Sequence, residues 1–99
     1  MKTRAFCLPS GVNFTKPVKC YDYCRLTISG AFTGRVELQH SFDGGQSWFP
    51  AWDRTFQLSF RDPWSGFFYV PLEALYRAET RTSKPVTIIF GTPGDETDG

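Results

Sequence analysis

The side chains that could carry out catalysis or bind a metal in this sequence are one histidine, His40, and three cysteines. A histidine that acts as a general base needs a nucleophile and an orienting acid within reach. His40 instead lies in an alternating stretch with Leu38 and Phe42, on the apolar face of an expected strand. The pattern favours a packed, hydrogen-bonded imidazole, and we predict no catalytic residue.

The cysteines, Cys7, Cys20 and Cys24, match neither a zinc pattern nor a disulfide framework. In a regular strand Cys20 and Cys24 lie on one face but about 13 Å apart, too far for a disulfide or a shared metal. We therefore expect buried free thiols, a reducing compartment, and no metal or other cofactor.

The most specific local pattern runs from Ser41 to Trp48 and reads Ser-Phe-Asp-Gly-Gly-Gln-Ser-Trp. It resembles an Asp-box, with Ser41, Asp43, Gly45, Ser47 and Trp48 at its fixed positions. An aspartate there accepts hydrogen bonds from amides of its own turn, glycine permits a positive φ, and tryptophan covers the turn. Asp-boxes occur in sialidase-like propellers, but a propeller needs far more chain. The motif predicts a structural turn.

Strands must position this turn, because ten Phe, four Tyr and three Trp stand beside a single Met. Residues 34–42 alternate most clearly, with Val36, Leu38, His40 and Phe42 on one face. Gly44-Gly45 turns the chain, and residues 48–52 return as the partner strand of a hairpin.

The second half of the chain continues this pattern. Residues 55–60 alternate with Phe56, Leu58 and Phe60 inward, and residues 66–70 form a short strand. Residues 72–75 could form one helical turn, after which residues 76–80 and 86–90 pair as a closing hairpin. The expected fold is all-β: a small antiparallel β-sandwich or barrel of about 7–8 strands with an extended N-terminal arm.

The ends of the chain differ from its middle in composition. We divide it into an extended N-terminal arm (1–18), a β-sandwich domain (19–92) and a disordered acidic tail (93–99). The apolar side chains of the arm need a surface, on this domain or on a neighbouring copy. Deletion of residues 1–18 is expected to leave the domain folded while preventing assembly.

Candidate interface residues come from this arm and from the tryptophan-rich centre, where Trp64 is expected to be the most exposed. The predicted set is Phe6, Leu8, Val12, Phe14, Trp52 and Trp64.

The charge balance disfavours two classes of partner. With 11 basic and 10 acidic residues the net charge is +1, too small for binding nucleic acid or an anionic membrane by bulk electrostatics. No apolar run approaches the length of a signal-peptide core or of a membrane-spanning helix, so a soluble chain is expected.

The longer segment LTISGAFTGRVELQHSFDGGQSW, residues 26–48, resembles a pattern in small virion proteins of tailed bacteriophages. Residues 75–80 and 85–91 are similar to the closing hairpin of that group. The resemblance implies a compact all-β module on the head or tail, as a capsid decoration or cement protein or a tail accessory. It implies major capsid or tail proteins as partners, and location in the virion, with assembly in the host cytoplasm.

The sequence therefore predicts a non-enzymatic structural protein, homo-oligomeric, that stabilises the capsid or tail through repeated protein–protein contacts. The alternative is a carbohydrate-binding module in which Trp52 and Trp64 stack on sugar rings. An enzyme ranks third.

Overall fold

The computed structural model describes residues 1–93, and its regular structure is entirely β-strand. Residues 94–99, which hold most of the predicted acidic tail, lie outside the described part. The ten strands of residues 1–93 are, in chain order, β1 (Lys2–Leu8), β2 (Gly11–Phe14), β3 (Val18–Ser29), β4 (Gly34–Ser41), β5 (Phe49–Pro50), β6 (Trp52–Asp53), β7 (Phe56–Gln57), β8 (Ser59–Phe60), β9 (Trp64–Thr82) and β10 (Val86–Thr92). Within residues 1–93 there is no helix that could cross a membrane.

The main sheet is antiparallel and has eight strands in the order β1-β10-β3-β9-β4-β5, with β2 beside β9 and β8 beside β4. Strands β6 and β7 form a separate hairpin. The 19-residue β9 pairs with β3 through residues 64–76 and with β4 through residues 75–82. One strand thus belongs to both halves of the sheet, and the predicted all-β antiparallel fold is confirmed.

The two halves enclose one apolar core. Its largest members are fully buried and come from four different strands: Phe68, Phe90, Leu26 and Leu38. Burial of such a side chain contributes roughly 1.5–3 kcal/mol. On β3 the even-numbered residues are buried except for Asp22, which is exposed at the register shift, so the structure identifies the buried face that the sequence left uncertain.

The predicted helical turn at residues 72–75 is wrong. These residues lie inside β9, where Leu72 is exposed, Ala74 is buried and Leu75 is half-buried. A short Leu-Glu-Ala-Leu run fits both helical and strand periods, so the sequence alone does not separate them. Ala74 and Leu75 pair with β3, and Leu75 also pairs with β4, so the end of the segment is held extended by its neighbours.

The predicted closing hairpin also differs in the structure. Residues 79–82 of β9 pair with β2 on one side and with β4 on the other, so neither edge is free for β10. Strand β10 pairs instead with β3 and β1. Residues 76–80 and 86–90 are close in the sequence. In the fold, however, both edges of β9 at residues 79–82 are paired with other strands, so β10 does not pair there.

Two aromatic residues predicted to face inward are exposed. Phe42 is 56% accessible because β4 ends at Ser41 and the turn begins there. Phe56 is 52% accessible in β7, whereas Leu58 and Phe60 are buried as expected. Of the return strand predicted over residues 48–52, β5 pairs with β4, and the Ala51 amide also donates to Leu38 O of β4 at 2.9 Å.

Residues 1–17 contain β1 and β2, which pair with β10 and β9 of the same chain. Strand β1 pairs with β10 along its whole length, and Phe6 meets Phe90 with ring centroids 6.4 Å apart. The amide of Thr15 donates to Ala78 O, and the Ala78 amide donates to Thr15 Oγ1, both at 3.0 Å. The segment is therefore extended but integral to this chain's own sheet, so its deletion is no longer expected to leave the domain folded.

The pairing of strand β3 with β9 is irregular between the two cysteines of β3. The register with β9 shifts between Cys20 and Asp22, and Asp22 adopts a φ of 58°. The side chains of Cys20 and Cys24 are both fully buried, and their thiols donate to Val18 O at 3.6 Å and to Tyr21 O at 3.5 Å. These two thiols are free and buried as predicted, whereas the free thiol of Cys7 is exposed.

Candidate interaction surface

The segment after β4 folds into a tight turn through its own side chains. The Ser41 hydroxyl donates to Asp43 Oδ1 at 2.7 Å and accepts from the Gly45 amide at 2.9 Å. The same Asp43 oxygen accepts from the amides of Gln46 at 3.0 Å and Ser47 at 2.9 Å. Five of the seven residues from Ser41 to Ser47 are thereby hydrogen bonded to one another, so the turn is closed by local contacts.

These hydrogen bonds set the charge state of the turn. They are made to the carboxylate form, with the Ser41 hydroxyl contributing most, and they lower the pKa of Asp43 to about 2. Gly44 and Gly45 have φ values of 75° and 96°, a region that suits glycine. The geometry accounts for each of these residue types as part of the turn.

Trp48 and Arg77 attach the turn to the sheet. The Trp48 indole donates to Gly45 O at 3.0 Å, and the Arg77 guanidinium lies 4.3 Å from the ring centre. On its other side Arg77 lies 4.2 Å from the Phe14 ring of β2. Arg77 Nε also donates to Gln39 Oε1 at 2.8 Å. One cation therefore joins the turn, β9 and β2.

A second group of aromatic and arginine side chains lies on the outer face of β3 and β9. Tyr23 and Tyr69 are register partners, with ring centroids 5.0 Å apart. Arg54, at the tip of the β6–β7 hairpin, reaches over Tyr69 at 5.3 Å and donates to the Tyr23 hydroxyl at 3.5 Å. The hairpin is thus in contact with the sheet through this cation.

The next register pair extends this group along the strands. Arg25 faces Phe67, whose ring centre lies 5.8 Å from the guanidinium carbon. Phe67 and Tyr23 are 56% and 52% exposed. We call Tyr23, Arg25, Arg54, Phe67 and Tyr69 the aromatic–arginine surface. Beyond Arg25 it continues into a shallow groove that also includes Thr27 and Ile89.

This surface consists of aromatic and arginine side chains. Tyrosine, tryptophan and arginine dominate the energetic centres of protein–protein interfaces. Residues 1–93 hold all 11 basic residues but seven of the ten acidic ones, a net charge of +4. Among residues 1–93 no acidic side chain hydrogen bonds to the Arg25 guanidinium, whose described polar partner is Ser65 at 3.3 Å.

The residues predicted for the interface fall in three places. Phe6 and Leu8 are half-buried and pack against the core, so they serve the fold. Val12 is 58% exposed and Phe14 46% exposed on β2, and Trp52 is 50% exposed on β6. Trp64, expected to be the most exposed, is half-buried and stacked on Phe60 at 4.5 Å.

Sequence reasoning missed the aromatic–arginine surface. The relevant residues are separated by up to 46 positions in the chain, and only the β3–β9 register makes them neighbours. The sequence of β3 alternates, which indicates a strand. It does not show which face is exposed, because the apolar residues change from one face to the other along residues 21–28.

His40 packs between aromatic rings. Its ring centroid lies 4.7 Å from that of Phe42 and 5.7 Å from that of Tyr76. Partial burial lowers the pKa of His40, so the imidazole is neutral at pH 7. Among residues 1–93 no group of three or more His, Cys, Asp or Glu side chains is arranged to hold a metal.

Comparison with known proteins identifies no relative of this chain. No protein-family model, curated protein or solved structure matches the chain.

Proposed function

We propose that this protein is a non-enzymatic structural component of a tailed-phage virion, which packs on the capsid or tail and stabilises it through repeated protein contacts. The observation that carries the proposal is the aromatic–arginine surface, an outward-facing set of interface-type side chains held by a rigid sheet. The resemblance of residues 26–48 to small virion proteins supports the setting.

The chemistry of the surface defines the kind of partner. Its aromatic rings supply apolar area, and Arg25 and Arg54 supply two cations beside them. A matching partner is a folded protein face that presents carboxylates around an apolar centre. We assign this role to the major capsid or tail protein.

The edge of the main sheet supports contact between copies. On the side of β1 away from β10, no strand pairs with it among residues 1–93. Two copies of β1 paired antiparallel about Ala5 would place Arg4 opposite Phe6 and Lys2 opposite Leu8 of the second copy. This register opposes no like charges and covers the half-buried apolar side chains. Contacts between copies strengthen attachment, because the second contact is then effectively intramolecular.

The carbohydrate-binding alternative is weakened because one of its two tryptophans, Trp64, is stacked on another ring. It required Trp52 and Trp64 to offer open ring faces, but Phe60 stacks on Trp64 at 4.5 Å with an interplanar angle of 25°. Trp52 remains exposed. We therefore retain sugar binding only as an outcome to be measured.

Co-sedimentation of the purified chain with capsids and with tails tests the proposal. The wild-type chain is expected to pellet with one of the two particles. The double variant Tyr23→Ser/Phe67→Ser should weaken this at least 30-fold with unchanged secondary structure, since loss of interface hot spots costs about 2 kcal/mol or more.

A matched control uses two side chains of similar exposure outside the surface. Phe49 is 56% and Leu72 67% exposed, and Phe49→Ser/Leu72→Ser is expected to pellet like the wild type. Failure of the wild type to bind either particle would contradict the virion role. Loss of binding in the control alone would place the attachment surface elsewhere. Binding to glycan arrays, lost in Trp52→Ala, would favour the alternative.

A further inference from the structure

The shallow groove beyond Arg25 crosses the outer face of β1, β10 and β3. Its floor is one row of the ladder, in which Thr3 and Arg25 lie on either side of Gly91. Gly91 leaves this row open, since a Cβ there would lie 2.7 Å from Met1 Sδ and 3.3 Å from Arg25 Cβ. At about 190 Å³ the groove is smaller than the roughly 300 Å³ or more typical of small-molecule sites. Its size therefore suits a few side chains of a peptide segment.

The groove presents a cation that has no anionic partner on the sheet. Arg25 is exposed, and its guanidinium donates to the neutral Ser65 hydroxyl at 3.3 Å, which also lies 3.2 Å from Thr27 Oγ1. Among residues 1–93 no acidic side chain forms an ion pair with Arg25. A guanidinium binds a carboxylate through two parallel N–H···O hydrogen bonds, so a carboxylate is the group that this end of the groove selects.

The described chain ends beside this groove. Gly91 lies in the groove floor, and two residues later the Pro93 carbonyl accepts a hydrogen bond from the Tyr21 hydroxyl at 2.7 Å. The segment that follows, residues 94–99, has no basic side chain. Its three acidic residues are Asp95, Glu96 and Asp98. Six residues span up to about 20 Å, and the proline–glycine pair at 93–94 is typical of a turn. The acidic segment therefore has the length and the starting point to reach Arg25.

We infer that residues 94–99 turn back over the groove of their own chain, where one of their carboxylates pairs with the Arg25 guanidinium. A segment too polar to fold by itself can still bind a surface of opposite charge. The net charge of +4 on residues 1–93 attracts it over a longer range. Because the segment is tethered beside the groove, its carboxylates are held there at a high effective concentration.

The docked segment would occupy a cation of the aromatic–arginine surface. A partner protein that uses Arg25 then has to displace the segment, so the segment lowers the affinity for such partners. This consequence rests on the proposed function, whereas the docking itself does not.

Paramagnetic relaxation enhancement, measured by NMR on the folded protein, tests the docking. A nitroxide is attached at Thr97→Cys in a Cys7→Ser chain, because Cys7 is the exposed thiol and the two cysteines of β3 are buried. The broadening of each amide signal is measured against the same sample with the nitroxide reduced. Docking should broaden the amide signals of three groove residues, namely Thr3, Thr27 and Ile89.

A neutral segment shows how much broadening the tether alone produces. In Asp95→Asn/Glu96→Gln/Asp98→Asn, with the same label, the broadening of the groove amides should fall about threefold or more, as for the loss of exposed ion pairs. Arg25→Gln should have the same effect. The matched control is Arg81→Gln, which removes an exposed arginine of β9 outside the groove and should leave the broadening unchanged.

Equal broadening with the acidic and the neutral segment would overturn the inference. So would equal broadening in a mixture of spin-labelled chain and isotope-labelled chain without nitroxide, because the segment would then dock on a neighbouring copy. No particle is present in these samples, so their outcome is separate from that of the virion role.

Discussion

The guanidinium of Arg77 lies 4.3 Å from the ring centre of Trp48 and thereby joins the turn after β4 to the long strand β9. The turn makes its hydrogen bonds internally, so its own residues fix its shape. This cation–π contact, together with the one to Phe14, fixes its position on the sheet. Arg77 is therefore the residue through which the locally formed turn is held against the sheet.

Replacement of Arg77 by alanine should destabilise the fold by about 1–2 kcal/mol, because it removes two cation–π contacts and the hydrogen bond to Gln39. The matched control is Arg81→Ala, on the same strand and face, where a half-exposed arginine loses one ion pair with Glu79 at 3.1 Å and no aromatic contact. That change should destabilise the fold less than Arg77→Ala does, by about 1 kcal/mol or less. Denaturant unfolding measures both, and equal effects would contradict a role for the stacked arginine.

The turn should depend on ionised Asp43. Asp43→Ala is expected to lower the melting temperature by several degrees at pH 7, since the amides of Gln46 and Ser47 lose their acceptor. Asp43→Asn, which keeps one side-chain oxygen, should lose less. A variant that melts normally but no longer binds particles would instead make Asp43 a contact residue.

The same carboxylate predicts a pH dependence with a defined sign. Its pKa is about 2 in the folded protein and 3.8 without the turn's hydrogen bonds, so the unfolded chain binds more protons between these values. The stabilisation is fully present above about pH 4 and is lost as the pH falls towards 2. Thermal melts from pH 5 to pH 2 should show a shallower decline in Asp43→Asn than in the wild type.

Protonation of His40 should also lower the stability of the fold as the pH falls, but at a higher pH than protonation of Asp43 does. Because burial lowers its pKa in the folded state, protonation favours the unfolded chain as the pH falls below the usual value of 6.5. His40→Gln is expected to flatten the stability profile between pH 7 and 5 and to cost at most stability or assembly. Elemental analysis of the pure wild type should find no metal, and stoichiometric zinc would contradict this account.

Removal of residues 1–18 should unfold the protein, since it deletes β1 and β2 with the packing of Phe6 on Phe90. Phe6→Ala alone should cost about 2 kcal/mol or more, whereas Val12→Ala, at a 58% exposed position, should stay within about 0.5 kcal/mol. Circular dichroism and urea unfolding provide the measurements. A folded truncated chain would show that the segment is dispensable for the domain.

The sequence alone determined the features that depend on near neighbours. Alternation of apolar and polar residues over residues 34–41 fixed a strand and its buried face, because side chains in a strand point to opposite sides in turn. The turn from Ser41 to Trp48 was also readable, since each hydrogen bond within it spans four residues or fewer. The all-β class followed from composition and spacing.

Only the tertiary structure decided the features that depend on distant pairing. Residues 64–82 became one strand because β3 and β4 hydrogen bond to its successive parts, and the N-terminal segment joined the sheet because β10 offered an edge. The register between β3 and β9 brought Tyr23 to Tyr69 and Arg25 to Phe67. The register between two strands depends on the packing of the whole core, so it cannot be predicted from a short segment of the sequence.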